Sequence, residues 1–220
     1  MKERVKIACD IMEGISGMQK KKFAHCDLGA RNYFVNIKGS TPGHRTIIAY
    51  VADFGRTIPI SAANDSPVQG NSCYTPPEAI YREKMHGKQY YNSDLFAVGC
   101  VFWQLYFGKL PPWSKIHSFK INSENKKRRY QGKVYLINVI RNRVMEKLKP
   151  ASKKNHTLTL REGFLQIILQ MTDPIPSKRG KAIKIYKTLY AMVYRKSPAE
   201  KKGTTTSSDH EKANHTSPKI

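Results

Sequence analysis

Acidic residues are scarce in this chain: 16 Asp+Glu stand against 39 Lys+Arg over 220 residues, a net charge of +23. Long apolar runs are missing too. The longest, Leu95 to Gly108, is broken by Gln104 and falls short of the roughly 20 residues that a bilayer span requires. The opening MKERVKIACD holds no hydrophobic signal core, so secretion is not expected. Cysteines are few and far apart (Cys9, Cys26, Cys73, Cys100), with no CxxC and no Cys/His cluster. That argues against a zinc site or disulfide scaffold and for reduced thiols in the cytoplasm or nucleus.

What is present suffices for a core. Forty per cent of residues are hydrophobic and 10% aromatic, which fits one domain, or one large lobe with a tail. The charge is uneven: between Ser114 and Asn155 there are 13 Lys/Arg and only two acids, Glu124 and Glu146, with the densest point at Lys126-Lys127-Arg128-Arg129. Such a cluster suits nucleic acid, anionic lipid or an import receptor. Without aromatic interleaving or a DNA-binding motif, a solvated loop is the preferred reading.

The hydrophobic period predicts a mostly helical chain. Val5, Ala8, Ile11, Met12, Ile15 and Met18 recur at three- and four-residue steps, so a helix is expected over 3–21. Residues 33–37 and 46–51 read as two short strands joined by turn residues around Gly39–His44, a small β-hairpin. Residues 56–77 read as a long surface loop. Asn92-Ser93-Asp94 is placed to cap an apolar helix running to about Phe107, ended by Gly108 and Pro111-Pro112. Further helices are expected at about 134–147, 160–171 and 181–194. From Ser197 the chain is Lys, Thr, Ser, Pro and His with almost no apolar residue, which predicts a disordered basic tail over 197–220. The organisation expected is one folded unit over 1–196, with a basic insert at about 114–133.

Two stretches carry chemistry: His25-Cys26-Asp27-Leu28-Gly29-Ala30-Arg31-Asn32 and Asp53-Phe54-Gly55. With Pro77-Glu78, Asp94 and Gly99 in Asp-x-x-x-x-Gly spacing, and Arg179, they resemble the landmarks of the protein kinase family in the family's order. The resemblance covers about residues 3–194. It implies a mainly α fold, the C-terminal lobe of a kinase with a small β-hairpin, and phosphoryl transfer from ATP to a protein hydroxyl with Mg²⁺. By resemblance Asp27 accepts the proton of the attacking hydroxyl, and Asn32 and Asp53 offer hard oxygens to the metal. Phe34 lies where the family packs a side chain beneath adenine. The ending Ala30-Arg31-Asn32 looks like a tyrosine-kinase loop, in which Arg31 helps place the substrate phenol; the position where serine/threonine kinases carry Lys is Gly29. His25 and Phe54 resemble stacked spine residues, Asp94 the anchor of the catalytic loop, and Glu78 with Arg179 a buried ion pair.

Departures matter as much. Cys26 replaces the Arg that receives an activation-loop phosphate, and 56–73 contains no tyrosine, so that switch is expected to be absent. The segment Gly70 to Glu78 looks more like a serine/threonine-kinase substrate loop, against the signal from Arg31. Asn32 to Asp53 spans 21 residues, longer than is usual, with the excess in the hairpin turn. No glycine-rich loop or Val-Ala-Ile-Lys strand precedes His25, so the N-terminal lobe is expected to be absent. Activity without added parts is then not expected, nor is tight ATP binding, and an exposed cleft floor predicts protein partners or self-association. The alternative is a pseudokinase-like protein-binding module.

Overall fold

The structure, a computed structural model, describes residues 1–39, 41, 45–62, 73–81, 85–115, 123–148 and 158–194. The expected basic tail and most of the hairpin turn lie outside these residues. So does much of the loop that follows Asp53-Phe54-Gly55. Among the described residues no helix is long and apolar enough to cross a membrane.

The fold is mainly helical, as the resemblance implied. Helix α1 (Lys2–Lys20) buries Val5, Ala8, Cys9, Ile11, Met12 and Ile15, the stripe that a 3.6-residue period puts on one face. Strands β2 (Tyr33–Lys38) and β3 (Thr46–Val51) form the antiparallel hairpin, with Tyr33 opposite Val51 and Lys38 opposite Thr46. Ile47 and Ala49 alternate inward, and the Ala49 amide donates to Asp10 Oδ2 of α1 at 3.1 Å. That bond fixes the hairpin against the helix that precedes residues 25–32. A second small sheet, β1 (Phe23–Ala24) with β4 (Ile58–Pro59), was not legible in the sequence. Two-residue strands have no period to detect, and their pairing is a long-range event.

Helix α3 (Gln89–Phe107) is the centre of the molecule. It is apolar around most of its circumference and is buried almost continuously from Ser93 to Trp103, as an all-round hydrophobic helix must be. Gly108, left-handed at φ 71°, ends it. The expected cap at Asn92-Ser93-Asp94 is corrected: α3 starts at Gln89, and Asp94 lies inside it, buried. A polar triplet within an apolar helix mimics a cap in sequence, whereas its real task here is tertiary. Helices α5 (Leu160–Met171), opened by a Thr159/Glu162 capping box, and α6 (Ala182–Tyr194) match their expected spans closely. Between α2 (Pro77–Tyr81) and α5 runs α4 (Ser123–Leu148), whose start lies well before the expected residue 134. Lys and Arg are good helix formers, so the charged stretch continues the helix although it adds no apolar period.

Gly99 lets α3 and α5 meet. A Cβ there would lie 2.8 Å from Met171 Cβ and 2.9 Å from Thr172 Cγ2. Gly99→Ala should therefore cost about 1–3 kcal/mol through overpacking, despite its helix-favouring side chain, and thermal denaturation checks this as a lowered Tm with retained helicity.

Candidate active site

The site begins with a buried carboxylate. Asp94, 4% exposed, accepts from the His25 amide at 2.8 Å and the Cys26 amide at 3.0 Å. Burial pushes its carboxyl up to about 7, while the two amide donors pull it back. These bonds pin the loop where Cys26 takes a left-handed φ of 66°, a conformation disfavoured for a residue with a Cβ. His25 is fully buried; its Nε2 bonds the Ala52 carbonyl at 3.0 Å and its Nδ1 accepts from the Asp27 amide at 3.4 Å. Burial lowers its pKa, and the Ala52 carbonyl, which can only accept, sets the proton on Nε2. It packs on Phe54 at 5.4 Å between centroids.

Asp27 follows at 6% exposure. Its Oδ2 lies 3.1 Å from Arg31 Nη2 and 3.9 Å from Arg56 Nε. Asn32 donates Nδ2 to the Asp27 carbonyl at 2.6 Å, which orients the amide and leaves Oδ1 as an acceptor. The Asn32 carbonyl in turn accepts from the Ala52 amide at 3.0 Å, fixing the residue before Asp53. Asp53 is exposed and left-handed at φ 60°. The structure thus brings Asp27, Arg31, Asn32 and Asp53 to one neighbourhood. Phe34 is not among their contacts: it is 67% exposed on β2, opposite Tyr50.

The donor set fits a hard divalent cation. Asn32 presents an amide oxygen and Asp53 an exposed carboxylate. No cluster of three His, Cys, Asp or Glu able to hold a metal occurs among the described residues. Two protein oxygens suffice for Mg²⁺ when phosphate oxygens and water complete the shell.

Below this floor, the segment 73–81 is held by buried charges. Arg179, fully buried, makes a two-pronged contact with Glu78, with Nη2 to Oε2 at 2.8 Å, and donates to the carbonyls of Asp173 and Asn92. Its guanidinium lies 4.9 Å from the Phe96 ring centre. Lys133 of α4 is also fully buried; its Nζ donates to the Thr75 carbonyl at 2.6 Å and sits 5.7 Å from the same ring. Burial lowers its amine to about 8. At Gly29, a Cβ would meet the Tyr74 ring at 3.1 Å, and the Tyr74 hydroxyl donates to Gln104.

Sequence reading missed Arg56, Tyr74 and Lys133. Lys133 carried a signal, since it lies four residues before buried Ile137 on one face of α4. Arg56 and Tyr74 carried none, because only folding brings them to Asp27 and Gly29.

Comparison with known proteins agrees with the geometry. A model of the protein kinase domain family matches residues 1–212, and the chain belongs to that family. It is 34% identical over 114 residues to mitogen-activated protein kinase kinase kinase 17 of Arabidopsis thaliana, covering 52% of this chain and 27% of that protein. It is 29% identical over 115 residues to the tyrosine-protein kinase transmembrane receptor Ror of Drosophila melanogaster, covering 50% and 15%. Identity to the Drosophila tyrosine-protein kinase Src64B is 26% over 176 residues, covering 79% and 26%. The chain thus spans about a quarter or less of the length of these relatives.

Two outcomes follow from the buried polar groups. Asp94→Ala strands two buried amides and should cost about 3 kcal/mol, whereas Asp94→Asn keeps one acceptor and should cost less; urea unfolding checks the order. Lys133 should make stability rise with pH. Its amine holds fewer protons folded than unfolded between about 8 and 10.5, so the penalty of burying the charge is present below pH 8 and is relieved as pH rises. The gain between pH 7.5 and 9.5 should be about 2 kcal/mol and vanish in Lys133→Met, as measured by urea unfolding at those two pH values.

Proposed function

We propose that this chain is the catalytic lobe of an ATP-dependent protein kinase that favours tyrosine hydroxyls. In this reading Asp27 takes the proton of the attacking hydroxyl, Asn32 and Asp53 hold Mg²⁺, and Phe34 covers the adenine from below. The observation that carries the proposal is the fastening of Asp27. Asn32 locks its carbonyl and Arg31 reaches its carboxylate, so a hydroxyl approaching Oδ1 meets a fixed acceptor. Bound Mg²⁺ supplies neutralisation of phosphate charge; the protein's own part is positioning.

The preference for tyrosine rests on Arg31 and Gly29. Arg31 is 64% exposed in its side chain while bonded to Asp27, which leaves it available to a phenol ring. A lysine at position 29 would have to displace the Tyr74 ring. No glycine-rich loop or Val-Ala-Ile-Lys sequence precedes His25 to grip the phosphates, so we propose that efficient transfer needs those elements from another polypeptide segment.

A protein-binding role is the second reading, and Cys26 favours it. Burial raises its thiol pKa well above the usual range, so an uncharged residue stands where the family's phosphate-binding Arg would be. Regulation by activation-loop phosphorylation is then not expected.

Supplying a kinase N-lobe ahead of Met1 and assaying peptide arrays tests the whole proposal. Transfer to Tyr peptides is expected, reduced about 10²–10⁴-fold by Asp27→Asn and strongly by Asp53→Asn. Transfer to Ser/Thr peptides alone would refute the role of Arg31. A fusion with no transfer at all, though folded and stabilised by Mg-ATP, would favour the binding module.

A further inference from the structure

Away from the cleft, a cavity of about 530 Å³ opens between the end of α1, the start of α3 and the turn into α6. None of Asp27, Asn32 or Asp53 lines it. Its charge is one-sided: Lys20, Lys88 and Lys181 line it and no Asp or Glu does. Among the described residues none of the three lysines is in an ion pair. Ammonium groups gathered around one concavity repel one another unless an anion joins them.

The hydrogen-bonding groups point the same way. Gln19 lines the cavity, and its side-chain amide nitrogen is buried without a partner, a costly arrangement that an acceptor would relieve. The turn into α6 closes its first bonds with the Lys184 and Ile185 amides on the Lys181 carbonyl. The preceding amides of Ala182 and Ile183, both at the cavity wall, are therefore the open donors of a 13-residue helix. Of the nearby carbonyls, that of Gly17 takes Lys21 N, and that of Gln19 takes both Lys22 N and the Tyr91 hydroxyl.

The remaining lining is apolar or aromatic, with Leu95, Ile183 and the Tyr91 ring. The volume falls in the range of small organic ligands and far exceeds what a bare phosphate fills.

We propose that this cavity is a binding site for an organic phosphomonoester, with the phosphate among Lys20, Lys88, Lys181 and the Gln19 amide, and the organic body against Tyr91, Leu95 and Ile183. The phosphate can come from a soluble metabolite or from a phosphorylated residue of a peptide; the recognition chemistry is the same.

Calorimetric titration of the full chain, without divalent cation, tests this with phenyl phosphate, inorganic phosphate and a phosphotyrosine peptide beside its unphosphorylated form. Phenyl phosphate should bind more tightly than inorganic phosphate. The triple variant Lys20→Gln/Lys88→Gln/Lys181→Gln should weaken it about tenfold or more without lowering Tm, while Lys147→Gln on α4 leaves it alone. Gln19→Leu should also weaken it, as a check that depends on no surface charge. A phosphopeptide binding more tightly than phenyl phosphate would assign the source to protein, and the reverse to a soluble metabolite. No binding of either phosphate probe at ~10 mM, or binding untouched by both the triple variant and Gln19→Leu, would overturn the site. Equal affinity for inorganic and phenyl phosphate would overturn the organic part of the proposal.

Discussion

The Asp94 carboxylate holds the backbone of His25 and Cys26 from inside the central helix, and the rest of the site depends on that hold. An ionisable group inside an apolar helix is costly unless its oxygens are filled. Here they are filled by amides that would otherwise be unpaired. The same two bonds keep Cys26 left-handed, which turns the chain so that Asp27 leaves the core for the cleft floor. Without this anchor the loop would relax toward ordinary backbone, and the bonds from Asn32 and Arg31 to Asp27 would lose their common frame.

A second set of buried polar groups does for the segment 73–81 what Asp94 does for the loop. Arg179 joins Glu78, the carbonyl of Asn92 and that of Asp173, while Lys133 reaches Thr75 from α4. Both cations stack on Phe96, a residue of α3, so one helix supports both halves of the site. Buried ion pairs of this kind are weak contributors to net stability but costly to break on one side. Here they hold the segment 73–81 in one arrangement against the central helix.

Charge is distributed with a purpose that total composition hides. Of the basic residues, Arg179 and Lys133 are inside, fully committed to the segment 73–81. Others, such as Lys127 and Arg128, lie exposed on α4. The three lysines between α1, α3 and α6 are exposed as well, but they line one concavity without acids. Position in the fold, not the count, separates structural cations from those free for a ligand.

The sequence by itself determined most of the helices, the hairpin and the family. These are local: an apolar period, a turn-rich connection, and motifs whose spacing survives in one dimension. Only the tertiary structure decided that Asp94 anchors rather than caps, that the basic stretch around Lys127 continues α4, and that Tyr74 fills the space beside Gly29. It alone placed Arg56 near Asp27 and paired Phe23–Ala24 with Ile58–Pro59. Each of these joins residues distant along the chain, or turns on which way a buried side chain faces. Such relations arise from packing against partners that no local window contains.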